Sequence, residues 1–402
     1  MRNTLVVLIA SFALAGCVSR PLRLDQPPRE SKLAAVRVEL PAVFKNGRPY
    51  VDLRVNGKGP YRFLVDTGAE GTSITRQVAR EAGISFSREY AAVVHGASGQ
   101  SERQFMGTVD RIESPGLSFE VVDVAILTPA SAALLAPRDD KLNGGILGMS
   151  TLRNVRLEID YPAKKISLVR LDGEALPAGT GIPYTGNRPH VTIATPSSKH
   201  ATTTALIDTG RESGFGFTDF ASYPLRIGLA KADEYSRGIG GYWRPLFGQL
   251  AGDIRLGTAT WRDPGIHSAK QNRIGSEALA SWKLVIDQRE KTLWLLDENQ
   301  ISTTTWTGPL DADGRPAVYG FVYVPEGDSF VITEVDPGSR AERAGLKIGD
   351  VILSQDEEAV ALERARKKDP YLARLRIARG DEKLEITMSL SELLPVSAKP
   401  PP

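Results

Sequence analysis

Two carboxylates occupy the same short context in this 402-residue chain: Asp66-Thr67-Gly68 follows Phe63-Leu64-Val65, and Asp208-Thr209-Gly210 follows Ala205-Leu206-Ile207. An apolar strand that ends in a carboxylate and a Gly turn sets a charge at the edge of a core, where it is costly unless it has a use. Two such carboxylates brought face to face cannot both ionise cheaply, so they share one proton. The ionised member takes a proton from a water held between them, and the protonated member donates to a carbonyl oxygen as the tetrahedral intermediate forms. That is peptide-bond hydrolysis without a metal or a covalent nucleophile. The other hydrolytic chemistries lack their residues. Of the four histidines, His95, His190, His200 and His267, none forms a metal-ligand pair on a His-Glu-x-x-His helix, and no Gly-x-Ser-x-Gly elbow exists. The single cysteine, Cys17, permits neither an intrachain disulfide nor a thiolate cluster. No metal and no cofactor is therefore expected.

The elements that must position the carboxylates are themselves repeated. Gly47-Arg48-Pro49-Tyr50-Val51-Asp52-Leu53 is echoed by Asn187-Arg188-Pro189-His190-Val191-Thr192-Ile193, each at a similar distance before its Asp-Thr-Gly. Ile146-Leu147-Gly148 is matched by Arg273-Ile274-Gly275. Leu157-Glu158-Ile159-Asp160 and Ile166-Ser167-Leu168 then align without gaps to Leu284-Val285-Ile286-Asp287 and Leu293-Trp294-Leu295. Between these landmarks each half has a Gly-rich, hairpin-like stretch: His95-Gly96-Ala97-Ser98-Gly99 and Gly238-Ile239-Gly240-Gly241. Agreement in order and spacing at several points marks a tandem duplication. From Val36 the pattern is all-β, with short runs of Val, Ile, Leu and Tyr broken by Gly, Asn and Pro. Asn56-Gly57 predicts a hairpin, and Ser131–Lys141 reads as a helix or irregular insertion.

Each half resembles a retropepsin-type aspartic protease unit, with its strand into Asp-Thr-Gly, its flap hairpin and its later apolar-Gly element. Two units in one chain resemble the bilobal pepsin plan. The resemblance implies tandem retropepsin-like β-barrel lobes at residues 36–172 and 173–298, with Asp66 and Asp208 as the catalytic dyad. Gly68 and Gly210 then allow the sharp turns, and the Thr67 and Thr209 hydroxyls bond across the dyad. The flaps, through His95, Gly96, Gly99, Gly240 and Gly241, close over an extended protein or peptide substrate. Three residues depart from or qualify the pattern. Arg273 stands where the family has an apolar residue. Arg211 follows the second Asp-Thr-Gly where the family has Ala, Ser or Thr. It either points to the dyad and favours the ionised state, or turns away and pairs with Glu212 or another surface carboxylate. Ala69, at the matching position of the first copy, lacks the hydroxyl of acid-adapted relatives and implies activity nearer neutral pH. Trp243, beside the second Gly-rich stretch, suits either a substrate pocket or core packing.

A polar linker, residues 299–315, leads to a third unit at residues 316–393. Pro337-Gly338-Ser339 through Gly349-Asp350-Val351-Ile352 resembles the PDZ domains of bacterial periplasmic proteases. The resemblance implies an α+β fold whose carboxylate loop, Tyr319-Gly320-Phe321 after Val318, captures peptide C-termini. A helix around Ala359–Lys368 and a strand at Ala373–Ile377 are expected to complete it, and residues 394–402 read as a disordered tail. At the other end, Arg2, the apolar run 4–15 and Leu14-Ala15-Gly16-Cys17 resemble a bacterial lipoprotein signal, which implies lipidation of Cys17. Val18 in place of Asp favours the outer membrane, and residues 18–35 read as a tether.

The composition, 41% hydrophobic and 24% charged, is that of a globular chain of two or three domains rather than a disordered one. A net charge of +2 with scattered Lys and Arg leaves no nucleic-acid footprint. The expected molecule is a mainly β, lipid-anchored periplasmic aspartic endopeptidase with a PDZ domain. It acts on protein or peptide substrates, touches the membrane through its anchor, and needs no oligomerisation to complete its dyad. The competing reading is a non-catalytic peptide-binding lipoprotein built from the same modules.

Overall fold

The structure, a computed structural model, describes residues 22–135, 143–232, 236–238, 241–296, 301–303, 317–326, 329–353, 363–364 and 372–389. Cys17, Gly240 and the tail 394–402 lie outside the described residues.

The chain is mainly β. In the first half, Asn56 (φ 48°) and Gly57 (φ 76°) adopt the left-handed conformations that a two-residue hairpin requires. They join the strands Arg48–Val55 and Lys58–Val65 in antiparallel register, Tyr50 opposite Leu64 and Val51 opposite Phe63. The second strand also pairs in parallel with Asn143–Leu147, Ile146 opposite Leu64 and Leu147 opposite Val65. A strand flanked on both sides within a sheet and covered on both faces must be apolar throughout, which explains the run Phe63-Leu64-Val65 before Asp66. The second half repeats this plan. Thr202–Asp208 lies antiparallel to His190–Ala194 and parallel to Arg273–Gly275, with Asp208 opposite Gly275.

A six-stranded sheet joins the halves. At its centre the two repeated segments pair with each other antiparallel, Leu157 opposite Ile286 and Ile159 opposite Leu284. The duplication thus becomes a local twofold relation, and one continuous core runs from Val51 and Phe63 through Leu157 and Ile207 to Trp261 and Trp282.

Residues 22–35, expected as a tether, are engaged with the first half. Glu30–Leu33 pairs antiparallel with Leu117–Glu120, and the Arg23 N–H donates to Asp123 Oδ2 at 3.0 Å. The polar run Glu30-Ser31-Lys32 has no strand signature of its own; the open edge of the sheet supplies one. The insertion expected at Ser131–Lys141 is in part the helix Pro129–Leu135. In the third unit, Phe321–Glu326, Ser329–Val335, Val351–Ile352 and Leu372–Arg379 form a sheet over a separate core that includes Tyr319, Phe321, Ile332, Leu346 and Ile377. The strand expected at Ala373–Ile377 lies within Leu372–Arg379. Within the helix expected at Ala359–Lys368, Glu363–Arg364 is instead a strand against Ala373–Arg374. Pairing at a sheet edge overrides the helix propensity of Glu363 and Arg364; the neighbouring residues 359–362 and 365–368 are outside the described set.

Candidate active site

Each Asp-Thr-Gly sits where its apolar strand leaves the sheet, and the two loops interlock. The Thr67 N–H donates to Thr209 Oγ1 at 3.0 Å, and the Thr209 N–H donates to Thr67 Oγ1 at 3.1 Å. Each hydroxyl then donates across the interface, Thr67 to Ile207 O and Thr209 to Val65 O, both at 2.7 Å. Both threonines are fully buried. Stranding any of these groups costs about 1–3 kcal/mol, so the hydroxyls fix the separation of the halves at this point. Ser276 Oγ extends the brace to Thr209 O at 2.9 Å and meets the Tyr161 hydroxyl at 3.2 Å.

The interlock brings the two carboxyls together. A methyl group on Gly68 would lie 2.5 Å from Asp208 Oδ1 and 3.0 Å from Asp66 Oδ1; one on Gly210 would lie 2.5 Å from Asp66 Oδ2. Both glycines are thus required by close approach rather than by an unusual φ. The Gly68 N–H donates to Asp66 Oδ1 at 2.7 Å. Burial, followed by the charge of Asp208, raises the Asp66 carboxyl from its ordinary value to about 7, against the opposing pull of the Gly68 N–H and Arg273. Asp66 keeps part of its surface open, whereas Asp208 is 3% exposed.

The repeated Arg-Pro segments turn out to brace this site. Arg48 reaches across to Glu212 at 2.7 Å, and Arg188 Nη1 donates to Gly68 O at 3.0 Å. Beside Arg188, the Asn187 amide donates to Glu70 at 2.6 Å. The partner expected for Arg211 is therefore taken by Arg48. Arg211 itself bonds Ser213 Oγ through Nε at 2.6 Å and lies over Gly216, where a methyl group would stand 3.2 Å from Nη2. Burial lowers its guanidinium to about 10. The Glu212 pairing expected for Arg211 does not form, but the guanidinium lies near enough to Asp208 to favour its ionised form, without a hydrogen bond to it among the described residues, and it also faces Glu277.

Arg273 is the arginine that meets the dyad. Its Nη1 is paired with Asp208 Oδ2, and its Nη2 donates to Gln271 Oε1 at 3.1 Å. The Gln271 amide faces His190 Nε2 at 3.2 Å. The matching wall of the first half is apolar: Tyr50, Leu64, Leu127 and Ile146 cluster with Ala69 and Ala132. The sequence marked Arg273 only as a departure; a charge at a strand position followed by an apolar residue and a Gly was the available signal.

The two Gly-rich stretches each form a hairpin turn or hairpin. In the first, Gly96 and Gly99 shape the turn, the Gly99 N–H donating to Gly96 O at 3.1 Å, and His95 Nδ1 meets Ser101 Oγ at 2.7 Å on an exposed face. Gly99 rests on Lys270 of the second half, where a methyl group would lie 3.4 Å from Cγ. In the second, Ser236–Gly238 pairs with Gly241–Trp243 and lies against the helix Pro129–Leu135. Trp243, the last residue of this hairpin, is partly buried. Of the other histidines, His200 is exposed, and burial with the charge of Arg211 lowers His267 to about 4.

In the third unit, Gly320 takes φ 83°, and its neighbours Tyr319 and Phe321 point into the core. Phe321–Glu326 is the outer strand of its sheet. Arg244, one residue beyond the second flap, links the units: it bonds both Asp336 oxygens at 2.7 and 2.6 Å and Glu334 at 3.1 Å. Sequence gave no sign of this contact between residues some 90 positions apart.

Residues 51–151 match the family model of the aspartyl protease, and residues 331–388 match that of the PDZ domain. The first match contains Asp66 and ends before the second Asp-Thr-Gly. Comparison with curated proteins yields no match.

Proposed function

We propose that the protein is an aspartic endopeptidase in which the two halves act as the lobes of one intramolecular site. The carrying observation is the juxtaposition of the Asp66 and Asp208 carboxyls over the interlocked Thr67 and Thr209. A water between the carboxyls loses a proton to the ionised member as it attacks the scissile carbonyl, and the protonated member donates to the carbonyl oxygen. The flap turn at Gly96–Gly99 closes on an extended peptide and excludes bulk water. The chain beginning at residue 18 should cleave members of a mixed peptide library, with a hydroxyethylene transition-state mimic blocking the reaction. Binding of peptides without cleavage of any would favour the non-catalytic reading instead.

Placement at the outer membrane through a lipid on Cys17 rests on the signal-like first 17 residues. Cys17→Ser should move the protein from the membrane pellet to the soluble fraction; retention in the pellet would remove the anchor from the proposal.

The PDZ unit recruits peptide C-termini and gates the cleft. The Arg244 contact supports gating, because the guanidinium is 7% exposed and ties the stem of the second flap to Asp336. The Asp336 N–H donates in turn to Gly320 O of the carboxylate loop at 2.7 Å. Couplings between sites amount to about 1–3 kcal/mol, so Arg244→Leu should change kcat/KM by about five-fold or more without a matching loss of Tm. An unchanged kcat/KM would leave the PDZ unit as a tether alone.

A further inference from the structure

The two aspartates are not equivalent, and the difference is built into corresponding strands. Asp66 has Ile146 on the strand beside its own, in register with Leu64. At the corresponding place Asp208 has Arg273, in register with Leu206. Residues 273 and 275 share a face of their strand, and Gly275 lies opposite Asp208 in the ladder, so the Arg273 side chain runs along that face to the carboxylate. It takes Oδ2, while Oδ1 lies against Gly68, which Asp66 Oδ1 also approaches. Arg273 therefore pairs with one carboxylate without separating the two. Gln271 holds its other terminal nitrogen, and His190 backs Gln271.

From this asymmetry we infer that Arg273 is a positioning residue that fixes the charge of the dyad, making Asp208 the base and Asp66 the proton donor. This rests on the endopeptidase reading above. Water gives a proton to Asp208 as its oxygen bonds the carbonyl carbon, and the carbonyl π pair moves to oxygen, which takes the proton of Asp66. Asp208 then passes its proton to the amide nitrogen as the C–N bond breaks. One hydroxyl of the tetrahedral intermediate returns its proton to Asp66, and the products are a carboxylic acid and an amine with both aspartates restored. The raised carboxyl of Asp66 accords with this assignment.

The charged and titratable groups around the pair are Arg273 on the adjoining strand, Arg211 on the following loop, Tyr161 across Ser276, and Glu277, which faces Arg211. His267 stands beyond Arg211 and His190 beyond Gln271. Only Arg273 is paired with a dyad oxygen among the described residues. Catalysis then falls at low pH when the dyad takes up a second proton and at high pH when it loses the one it shares. A cation opposes proton binding at both sites, so its removal must move both limbs to higher pH.

The test compares pH profiles of kcat/KM for wild type, Arg273→Leu and Arg273→Lys on one peptide, with 13C titration of the aspartate carboxyls in the same proteins. Arg273→Leu should shift the acid limb up by about one unit or more and the alkaline limb by less, while Lys returns both toward wild type. If Leu is not tolerated, Arg273→Gln, which keeps the polar reach, replaces it. A rate loss with unmoved limbs, or a rate gain at every pH, would overturn the assignment: the first makes Arg273 structural, the second makes it an occluding group. The carboxyl titration reads the same shift whether or not the protein cleaves peptide, so failure of the endopeptidase reading is distinguishable from failure of this one.

Discussion

Asp66→Asn is expected to lower kcat by about 1,000-fold or more while leaving the fold intact, since a positioned acid or base contributes about 10²–10⁴ and the paired groups act as one unit. The substitution is close to isosteric, which matters where Gly210 packs directly on the Asp66 carboxyl. It removes the proton that the carbonyl oxygen must receive and changes little else, because Asp66 carries no salt bridge among the described residues. Asp208→Asn should lose activity to the same extent but is the less clean experiment, since it strips the buried Arg273 of its carboxylate. The double variant should be no worse than either single one. Peptide cleavage by Asp66→Asn within ten-fold of wild type, measured on the chain beginning at residue 18 with matched circular dichroism, would end the dyad mechanism.

Why Asp66 was legible and Arg273 was not follows from what a sequence encodes directly. The duplicated motifs carry both carboxylates, both glycines and both threonines, and in each case local chain geometry decides their place. The pairing of Leu157–Asp160 with Leu284–Asp287 is a further step: the alignment reveals that the segments are alike, but not that they are neighbours. Arg211 follows Gly210 directly in sequence, whereas the direction of the turn carries it over Gly216. Arg273 reaches Asp208 from 65 positions away because a parallel strand register aligns them. Such a register depends on tertiary pairing. Glu30–Leu33 and Glu363–Arg364 carry no strand signature of their own for the same reason: each is a strand only because an edge is open beside it. Arg244 and Asp336 belong to separate cores, so no periodicity in either unit points to their contact.

The raised Asp66 carboxyl has a consequence for stability that can be measured without any substrate. Its native value is about 7 against an ordinary value of 3.8, so between these pH values the native state holds a proton that the unfolded chain has released. Stability linked to this group is therefore fully present below about pH 4 and is lost as pH rises through about 7. Asn at position 66 neither binds nor releases that proton and lacks the dependence. Relative to wild type, Asp66→Asn should gain about 2–4 kcal/mol between pH 4 and pH 8, the upper figure being three units at 1.36 kcal/mol each and the lower allowing for sharing of the proton with Asp208. Denaturant midpoints of the two proteins at both pH values measure the gain. A wild-type-minus-variant difference that does not change with pH would mean that Asp66 is already ionised in the native site, and the protonated half of the dyad would have to be sought on Asp208. The direction also has a functional logic: a carboxyl kept protonated by burial near neutral pH weakens the fold as it ionises, and the Thr67–Thr209 interlock supplies the rigidity that holds the two halves together against that loss.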